Sequence, residues 1–256
     1  MQFIDTHCHI QEDDYPLDPN VVIKNAAQVG VDRLVVVGTS LEHSQAAVKF
    51  AQSHDNVWAS IGIHPHDSQH YVGNADLLLK FKQLATQPKV VAVGECGLDY
   101  YYNHSPKQSQ VELLRFQLDL AQEYNLPVIF HVREAFKDFW PIFDQYKGIT
   151  GVIHSFTASK DDLADILERN LLIGINGIMT FSKNADQLAA AKAVPLDKLV
   201  LETDAPFLTP APFRGTICEP KHVRVTAEFL SRLRGESLED IAMATTRNAA
   251  QLFNLN

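Results

Sequence analysis

The sequence predicts an α/β protein whose eight parallel strands close into a (β/α)8 TIM barrel, with an extra C-terminal helix. Eight short apolar runs, many of them rich in Val and Ile, recur along the chain. Each run is followed by a longer stretch whose apolar residues have helical spacing, and this alternation is typical of parallel α/β folds. The length of 256 residues suits a single barrel, so we expect one domain over residues 1–256.

The apolar runs are predicted to be strands buried on both faces, because continuous hydrophobicity is typical of strands in a parallel sheet. They are residues 3–10, 34–38, 57–63, 90–94, 127–132, 151–156, 171–178 and 199–203. No GxGxxG motif follows the first run, which argues against a dinucleotide-binding sheet.

Helices are predicted between the strands and at the C-terminus. They are residues 18–29, 42–53, 74–86, 106–124, 135–146, 160–170, 183–194, 219–234 and 238–253. Start signals occur at Asp18-Pro19, at Ser105-Pro106 and at Ser159 with Asp162 three residues later. Stop signals occur at Gly30 and Gly148.

Composition limits the protein class. With 46% hydrophobic and 21% charged residues the chain is globular, and no apolar run approaches the roughly 18 residues of a membrane span. No signal peptide is visible, and the cysteines (Cys8, Cys96 and Cys218) form no CxxC pair, so we expect reduced thiols in a cytoplasmic protein. The net charge of −9 argues against a broad basic surface for nucleic acid.

Histidines and carboxylates follow the apolar residues of several predicted strands. In a barrel all strand ends of one polarity meet at one face, so these side chains are expected to converge. Four imidazoles and two carboxylates are enough for two divalent cations. The six candidate ligands are His7, His9, Glu95, His131, His154 and Asp204.

Three further residues share the strand face of a candidate ligand because they lie two positions from it. Asp5 is expected to accept a hydrogen bond from a ligand imidazole, or alternatively to be satisfied by backbone amides. Glu202 is a candidate for holding a ligand or moving a proton. Arg133 is placed either to bind an anionic oxygen or to form a surface ion pair.

These motifs together resemble the TatD-like metal-dependent deoxyribonucleases, a branch of the amidohydrolase-type barrel hydrolases. The resemblance extends over essentially the whole chain. It rests on residues 5–9 (DTHCH), 62–65 (GIHP), 94–100 (GECGLDY), 127–133 (PVIFHVR), 154–157 (HSFT) and 201–206 (LETDAP). One departure is Cys218, which stands where relatives usually have Asn in the segment after the last strand, and this leaves substrate preference open.

The resemblance implies cleavage of DNA phosphodiesters with two divalent ions, zinc, manganese or magnesium. It implies that His7, His9 and Asp204 hold one ion, that His131 and His154 hold the second, and that Glu95 bridges them. The resemblance also implies that His64 and Arg133 lie near the scissile phosphate. We expect Asp204 to accept a proton from the attacking water, with Glu202 nearby.

The substrate is expected to be DNA, in single-stranded or terminal stretches, with no membrane association and no obligate protein partner. Tyr100 and the two tyrosines after it are candidates for stacking on bases, although they equally fit a role in covering the barrel mouth. Three alternatives remain: an ester hydrolase acting on aminoacyl-tRNA, a small-molecule amidohydrolase, and a non-catalytic binding protein. The second is disfavoured because Glu95 stands where those enzymes often carry a carboxylated lysine, and Lys89 lies at the other end of the strand.

Overall fold

The computed structural model describes residues 1–255 and contains eight strands that follow one another in sheet order from β1 to β8. They are β1 (Phe3–Cys8), β2 (Val31–Val37), β3 (Val57–Ile61), β4 (Val90–Asp99), β5 (Val128–Arg133), β6 (Gly151–Ile153), β7 (Leu172–Ile175) and β8 (Leu199–Leu201). The strands are parallel and alternate with helices, which confirms the predicted TIM-barrel fold class.

The helices also follow the predicted order. They are α1 (Pro19–Gln28), α2 (Leu41–Gln52), α3 (Ala75–Ala85), α4 (Lys107–Tyr124), α5 (Phe136–Phe143), α6 (Lys160–Glu168), α7 (Ala185–Ala193), α8 (Val223–Arg234) and the extra C-terminal helix α9 (Leu238–Phe253). Within residues 1–255, none of these helices has both the length and the apolar character needed to cross a membrane.

Two of the three predicted helix starts act as caps. The Asp18 carboxylate accepts the amide of Asn20, and Ser159 forms a capping box with Asp162. The Ser105 hydroxyl does not cap α4. It donates to the carbonyl of His66 at 2.6 Å, so this serine ties two loops together instead.

The chain divides into two compact units, and the expectation of a single domain stays a prediction. The first unit comprises residues 1–36 and 154–256 and contains β7, β8, β1 and nearly all of β2. In this unit the segment after β8 runs beside the end of β1. The amide of Asp204 donates to the carbonyl of His7 at 2.8 Å, and the amide of His9 donates to the carbonyl of Ala205 at 2.7 Å. This pairing brings the two strand ends together.

The second unit comprises residues 37–153 and contains β3 to β6. Here β4 continues to Asp99, five residues beyond the predicted run, and its last residues pair with β5. Gly97 lies opposite His131 with a φ of +154°, and a Cβ at this position would overlap the carbonyl oxygen of His131. Glycine therefore permits the close approach that extends the strand.

An aromatic cluster forms part of the core of the second unit. Phe139 on α5 is fully buried, and its ring centroid lies 5.2 Å from that of Phe130 on β5 and 5.8 Å from that of Phe143. These contacts fix α5 against the strand that carries His131.

Replacing Phe139 with alanine should lower the free energy of unfolding by about 3–5 kcal/mol, because the change removes buried area and leaves a cavity. The measurement is chemical denaturation followed by circular dichroism. Lys137→Ala, at an exposed position of the same helix, is the matched control and should change the free energy by no more than about 0.5 kcal/mol. Equal effects of the two changes would contradict this packing.

Candidate metal centre

In the first unit, the predicted ligands His7, His9 and Asp204 come together where β1 ends. Asp204 Oδ1 lies 3.5 Å from His7 Nε2 and 3.3 Å from His9 Nε2, and the two imidazole nitrogens are 3.2 Å apart. Burial alone would raise the pKa of Asp204, but the hydrogen bond from His9 and the charges of the neighbouring imidazoles lower it below its usual value. The carboxylate is therefore ionised and available to a cation.

His154 and Glu202 join this group from the ends of β6 and β8. The His154 ring stacks on the His7 ring at a centroid distance of 3.9 Å. Glu202 Oε1 lies 3.2 Å from His154 Nδ1 and accepts hydrogen bonds from the Ser155 amide at 2.6 Å and the Asn176 side chain at 3.2 Å. Ligand atoms of His7, His154 and Glu202 all lie within 4.8 Å of one another.

The second oxygen of Glu202 supports a cation at this place. Oε2 is buried and, among residues 1–255, has no hydrogen-bond partner. A Cβ at Gly174 would overlap this oxygen, so the glycine on β7 leaves the space that the carboxylate occupies. A buried, unpartnered carboxylate oxygen is costly unless it is paired, and the nearby nitrogen donors make a divalent metal the fitting partner.

Asp5 does not orient an imidazole, contrary to the first of the two expectations for it. Its carboxylate accepts hydrogen bonds from the Thr203 hydroxyl at 2.6 Å, the Thr203 amide at 2.9 Å and the His7 amide at 3.2 Å. Burial raises the pKa of Asp5 well above 3.8, although these hydrogen bonds lower it. Asp5 therefore holds the backbone beside the ligands, as the alternative prediction proposed.

The second unit carries its own group of ligand atoms, from His64, Glu95 and His131, all within 4.8 Å of one another. Glu95 Oε1 lies 2.7 Å from His131 Nδ1 and 3.5 Å from His64 Nε2. Burial lowers the pKa of His64 to about 4, even though Glu95 raises it, so this imidazole is neutral at pH 7. His64 Nδ1 accepts the amide of His66 at 3.2 Å, so the neutral imidazole carries its proton on Nε2 and can donate it. Contact of His64 with the substrate phosphate stays a prediction.

Asp99 orients the imidazole of His131. Asp99 Oδ2 lies 3.0 Å from His131 Nε2 and 3.0 Å from His66 Nε2. If His131 donates its proton to Asp99, its Nδ1 lone pair faces the Glu95 oxygen 2.7 Å away. Two lone pairs at this distance repel each other, and a cation between them removes the repulsion.

Asp99 and His66 were not among the residues predicted from the sequence. Asp99 lies four residues after Glu95 on the same strand, so the parity that identified Asp5 and Glu202 applies to it as well. Asp99 was overlooked because the predicted strand stopped at Gly94. A glycine inside a strand weakens it, so a continuation of β4 beyond Gly94 was not expected. Burial would raise the pKa of Asp99, but the hydrogen bonds from His131, Tyr102 and His66 lower it below its usual range.

Arg133 lies next to two of the three tyrosines. Its Cζ is 4.1 Å from the ring centroid of Tyr101 and 4.7 Å from that of Tyr102. Tyr100, the residue named as a substrate contact, packs elsewhere: Lys107 Nζ lies 3.7 Å from its ring, and burial together with Asp138 raises its pKa to about 12. Base contact by Tyr100 stays a prediction, and the exposed rings beside Arg133 belong to the other two tyrosines.

Cys218, the departure from the family pattern, is buried in the loop that precedes α8. Its amide donates to the carbonyl of Pro206 at 3.0 Å, its carbonyl accepts from the Tyr15 hydroxyl at 3.3 Å, and its Sγ lies 3.6 Å from His222 Nδ1. Cys218 therefore holds this loop in place through buried contacts. Cys8 and Cys96 are also buried free thiols.

The fold and these groups together define a class of protein: barrel hydrolases with His and carboxylate groups at the strand ends. The family model described as "TatD related DNase" matches residues 4–254. The chain belongs to this TatD family of hydrolases and is therefore an enzyme.

Individual relatives match this chain over nearly their whole length, and a solved structure shares its fold. An uncharacterized metal-dependent hydrolase, YabD, of Bacillus subtilis is 38% identical, with 98% of this chain and 99% of that protein covered. The 3'-5' ssDNA/RNA exonuclease TatD of Erwinia tasmaniensis is 34% identical, with 98% and 99% covered. The crystal structure of YJJV, a TatD homolog from Escherichia coli K12, matches with a TM-score of 0.91 and 30% identity, covering 99% of this chain and 98% of that one.

The change Glu202→Gln should weaken divalent-metal binding by about 10–100-fold, because it removes the negative charge beside His154 and replaces one carboxylate oxygen with an amide NH2 group that cannot bind a cation. The measurement is competition with a chelating dye for zinc or manganese. Glu168→Gln makes the same charge change at an exposed position of α6 and should leave metal affinity unchanged. Unchanged affinity in the Glu202 variant would show that this carboxylate does not support a metal site.

The loop before α8 should make stability depend on pH. His222 Nδ1 accepts the amide of Glu219 at 3.0 Å, and burial, assisted by the charge of Lys221, lowers the pKa of His222 from 6.5 to about 4. Between these pH values the unfolded chain binds a proton that the folded chain excludes, so the free energy of unfolding should decrease as the pH falls from 6.5 to 4. His222→Asn keeps an acceptor for the amide and does not titrate.

Urea denaturation at a series of pH values measures this contribution. We expect a shallower pH dependence for His222→Asn than for the unmodified chain over that interval. Identical slopes for the two proteins would contradict the assignment.

Proposed function

We propose that the protein hydrolyses phosphodiester bonds of DNA, in single-stranded or terminal stretches, with two divalent metal ions. The observation that carries the proposal is that imidazole and carboxylate groups converge in each unit: His7, His9 and Asp204 in one, with His154 stacked on His7, and Glu95 with His131 in the other. Relatives named 3'-5' ssDNA/RNA exonuclease support nucleic acid as the substrate class.

The proposed ligands are the six residues singled out from the sequence. His7, His9 and Asp204 would hold one ion, His131 and His154 the other, and Glu95 would bind both. When bound, the two ions supply Lewis acidity that lowers the pKa of the attacking water and stabilises charge on the phosphate oxygens. Zinc, manganese and magnesium all suit ligands of this kind.

The protein residues then bind the phosphate and move the proton. Arg133, a fixed cation with two parallel N–H donors, would bind a nonbridging phosphate oxygen. His64, neutral at pH 7, can donate one hydrogen bond to a second oxygen. Asp204 would accept the proton of the attacking water, whose oxygen bonds to phosphorus as the bond to the leaving oxygen breaks, and the leaving oxygen would take a proton from solvent. Glu202 would hold the His154 imidazole through Oε1 and leave Oε2 available to the neighbouring ion.

The chain reconstituted with zinc, manganese or magnesium should cleave single-stranded DNA faster than the same sequence as a duplex. A chain with a net charge of −9 is not expected to bind a long duplex tightly. A flexible single strand can instead bring a few of its phosphates to the buried ligands. The measurement is a hydrolysis panel of single-stranded DNA, duplex DNA, RNA and aminoacyl-tRNA. Cleavage of the aminoacyl ester without cleavage of any phosphodiester would contradict the proposal and favour the tRNA-ester alternative.

Glu95→Ala should abolish metal-dependent cleavage, because it removes a ligand proposed to bind both ions and the carboxylate that His64 and His131 share. Initial rates on single-stranded DNA measure the effect. Glu112→Ala, an exposed position on α4, is the control and should retain full activity. Full metal-dependent activity of the Glu95 variant would exclude the bridging role.

A further inference from the structure

Two adjacent aromatic side chains remain exposed at the end of β4. Tyr101 is 54% exposed and Tyr102 is 52% exposed, and their rings meet edge to face at 4.8 Å. With Arg133 they form the tyrosine cluster, defined here as Tyr101, Tyr102 and Arg133. Large aromatic surfaces left in water are typical of binding sites.

The backbone beneath the tyrosine cluster is fixed by buried hydrogen bonds. Asp99 Oδ1 accepts the amides of Tyr101 at 3.0 Å and Tyr102 at 2.9 Å. The Gln110 side chain in turn accepts the Asp99 amide at 2.8 Å and donates to the Asp99 carbonyl at 3.1 Å. Because the other oxygen of Asp99 contacts His131, one carboxylate positions both the exposed rings and a proposed metal ligand.

The guanidinium of Arg133 is held against the rings. Within residues 1–255 no ion pair joins Arg133 to a carboxylate, whereas Arg224 and Arg234 each pair with a glutamate. Contact with an aromatic face stabilises a guanidinium while leaving its N–H groups free for an anion. A phosphate oxygen can therefore approach Arg133 without displacing an internal partner.

The two rings offer different surfaces. Tyr102 is braced by His104, nearly parallel at 5.7 Å, and by His66, edge to face at 5.5 Å. Tyr101 is perpendicular to Tyr102 and has Arg133 over its ring, and no other ring is recorded against it in the part of the chain that the structure describes. Tyr102 therefore acts as a fixed wall, and Tyr101 as the surface on which a planar group can stack.

We propose that the tyrosine cluster is a nucleobase subsite, in which an unpaired base stacks on Tyr101 against Tyr102 while Arg133 binds the adjoining phosphate. The inference rests on the proposed function and deepens it by naming what distinguishes the substrate. A base inside a duplex has no free face, so the subsite selects single-stranded nucleic acid. The chemistry recognised is the aromatic face of a base, and the subsite is therefore tolerant of sequence.

The test compares two single strands of equal length, one of thymidines and one in which the residues around the cleaved bond are abasic. The unmodified chain should cleave the thymidine strand with a kcat/KM about 10-fold or more above that for the abasic strand. Tyr101→Ala combined with Tyr102→Ala should abolish this preference, leaving both strands cleaved as the unmodified chain cleaves the abasic one. The double change to Phe should keep the preference, because stacking requires the ring and not the hydroxyl.

Phe213→Ala, which removes a 45% exposed aromatic ring elsewhere, is the control and should keep the preference. Equal cleavage of the two strands by the unmodified chain would overturn the subsite, as would a preference that survives in the double Ala variant. Loss of cleavage of both strands in that variant would assign the rings to the reaction itself and also overturn it. If the unmodified chain cleaves no phosphodiester, the proposed function fails, which is a separate result.

Discussion

Carboxylates buried at the ends of the strands are the constraint that organises this protein. Asp5, Glu95, Asp99 and Glu202 are each at most 4% exposed. A buried carboxylate must be hydrogen-bonded or paired with a cation. Asp5 meets this requirement through Thr203 and backbone amides, and Asp99 through two loop amides and two imidazoles. Glu202 retains an oxygen without a partner in the part of the chain that the structure describes, and Glu95 faces an imidazole nitrogen. A bound metal would be the partner that Glu202 Oε2 lacks.

Most of the fold was predictable because continuous apolar runs and helical spacing are local signals. The His-x-His pair was also predictable, since residues two apart share a strand face. The roles of Asp5 and Glu202 were not separable, because which carboxylate meets an imidazole depends on the pairing of distant strands. The structure shows that Glu202 approaches His154 while Asp5 meets backbone. Asp99 was missed because the continuation of β4 through Gly97 depends on the close approach of β5.

These contacts account for part of the net charge of −9. Several of the acidic groups are buried beside imidazoles, where bound cations would neutralise them. The remaining acidity is unsuited to gripping a long duplex, so affinity for nucleic acid should come from a few phosphates and from stacked bases rather than from a broad basic surface. The tyrosine cluster fits this account, because it couples one cation to two aromatic rings.

Anomalous diffraction from crystals of the manganese- or zinc-loaded protein tests the central claim most directly, because it locates metal ions independently of activity. The account predicts two peaks per chain, coordinated by His7, His9 and Asp204 and by His131 and His154, with Glu95 a ligand of both. No peak at these residues, or ions bound only by other side chains, would contradict it.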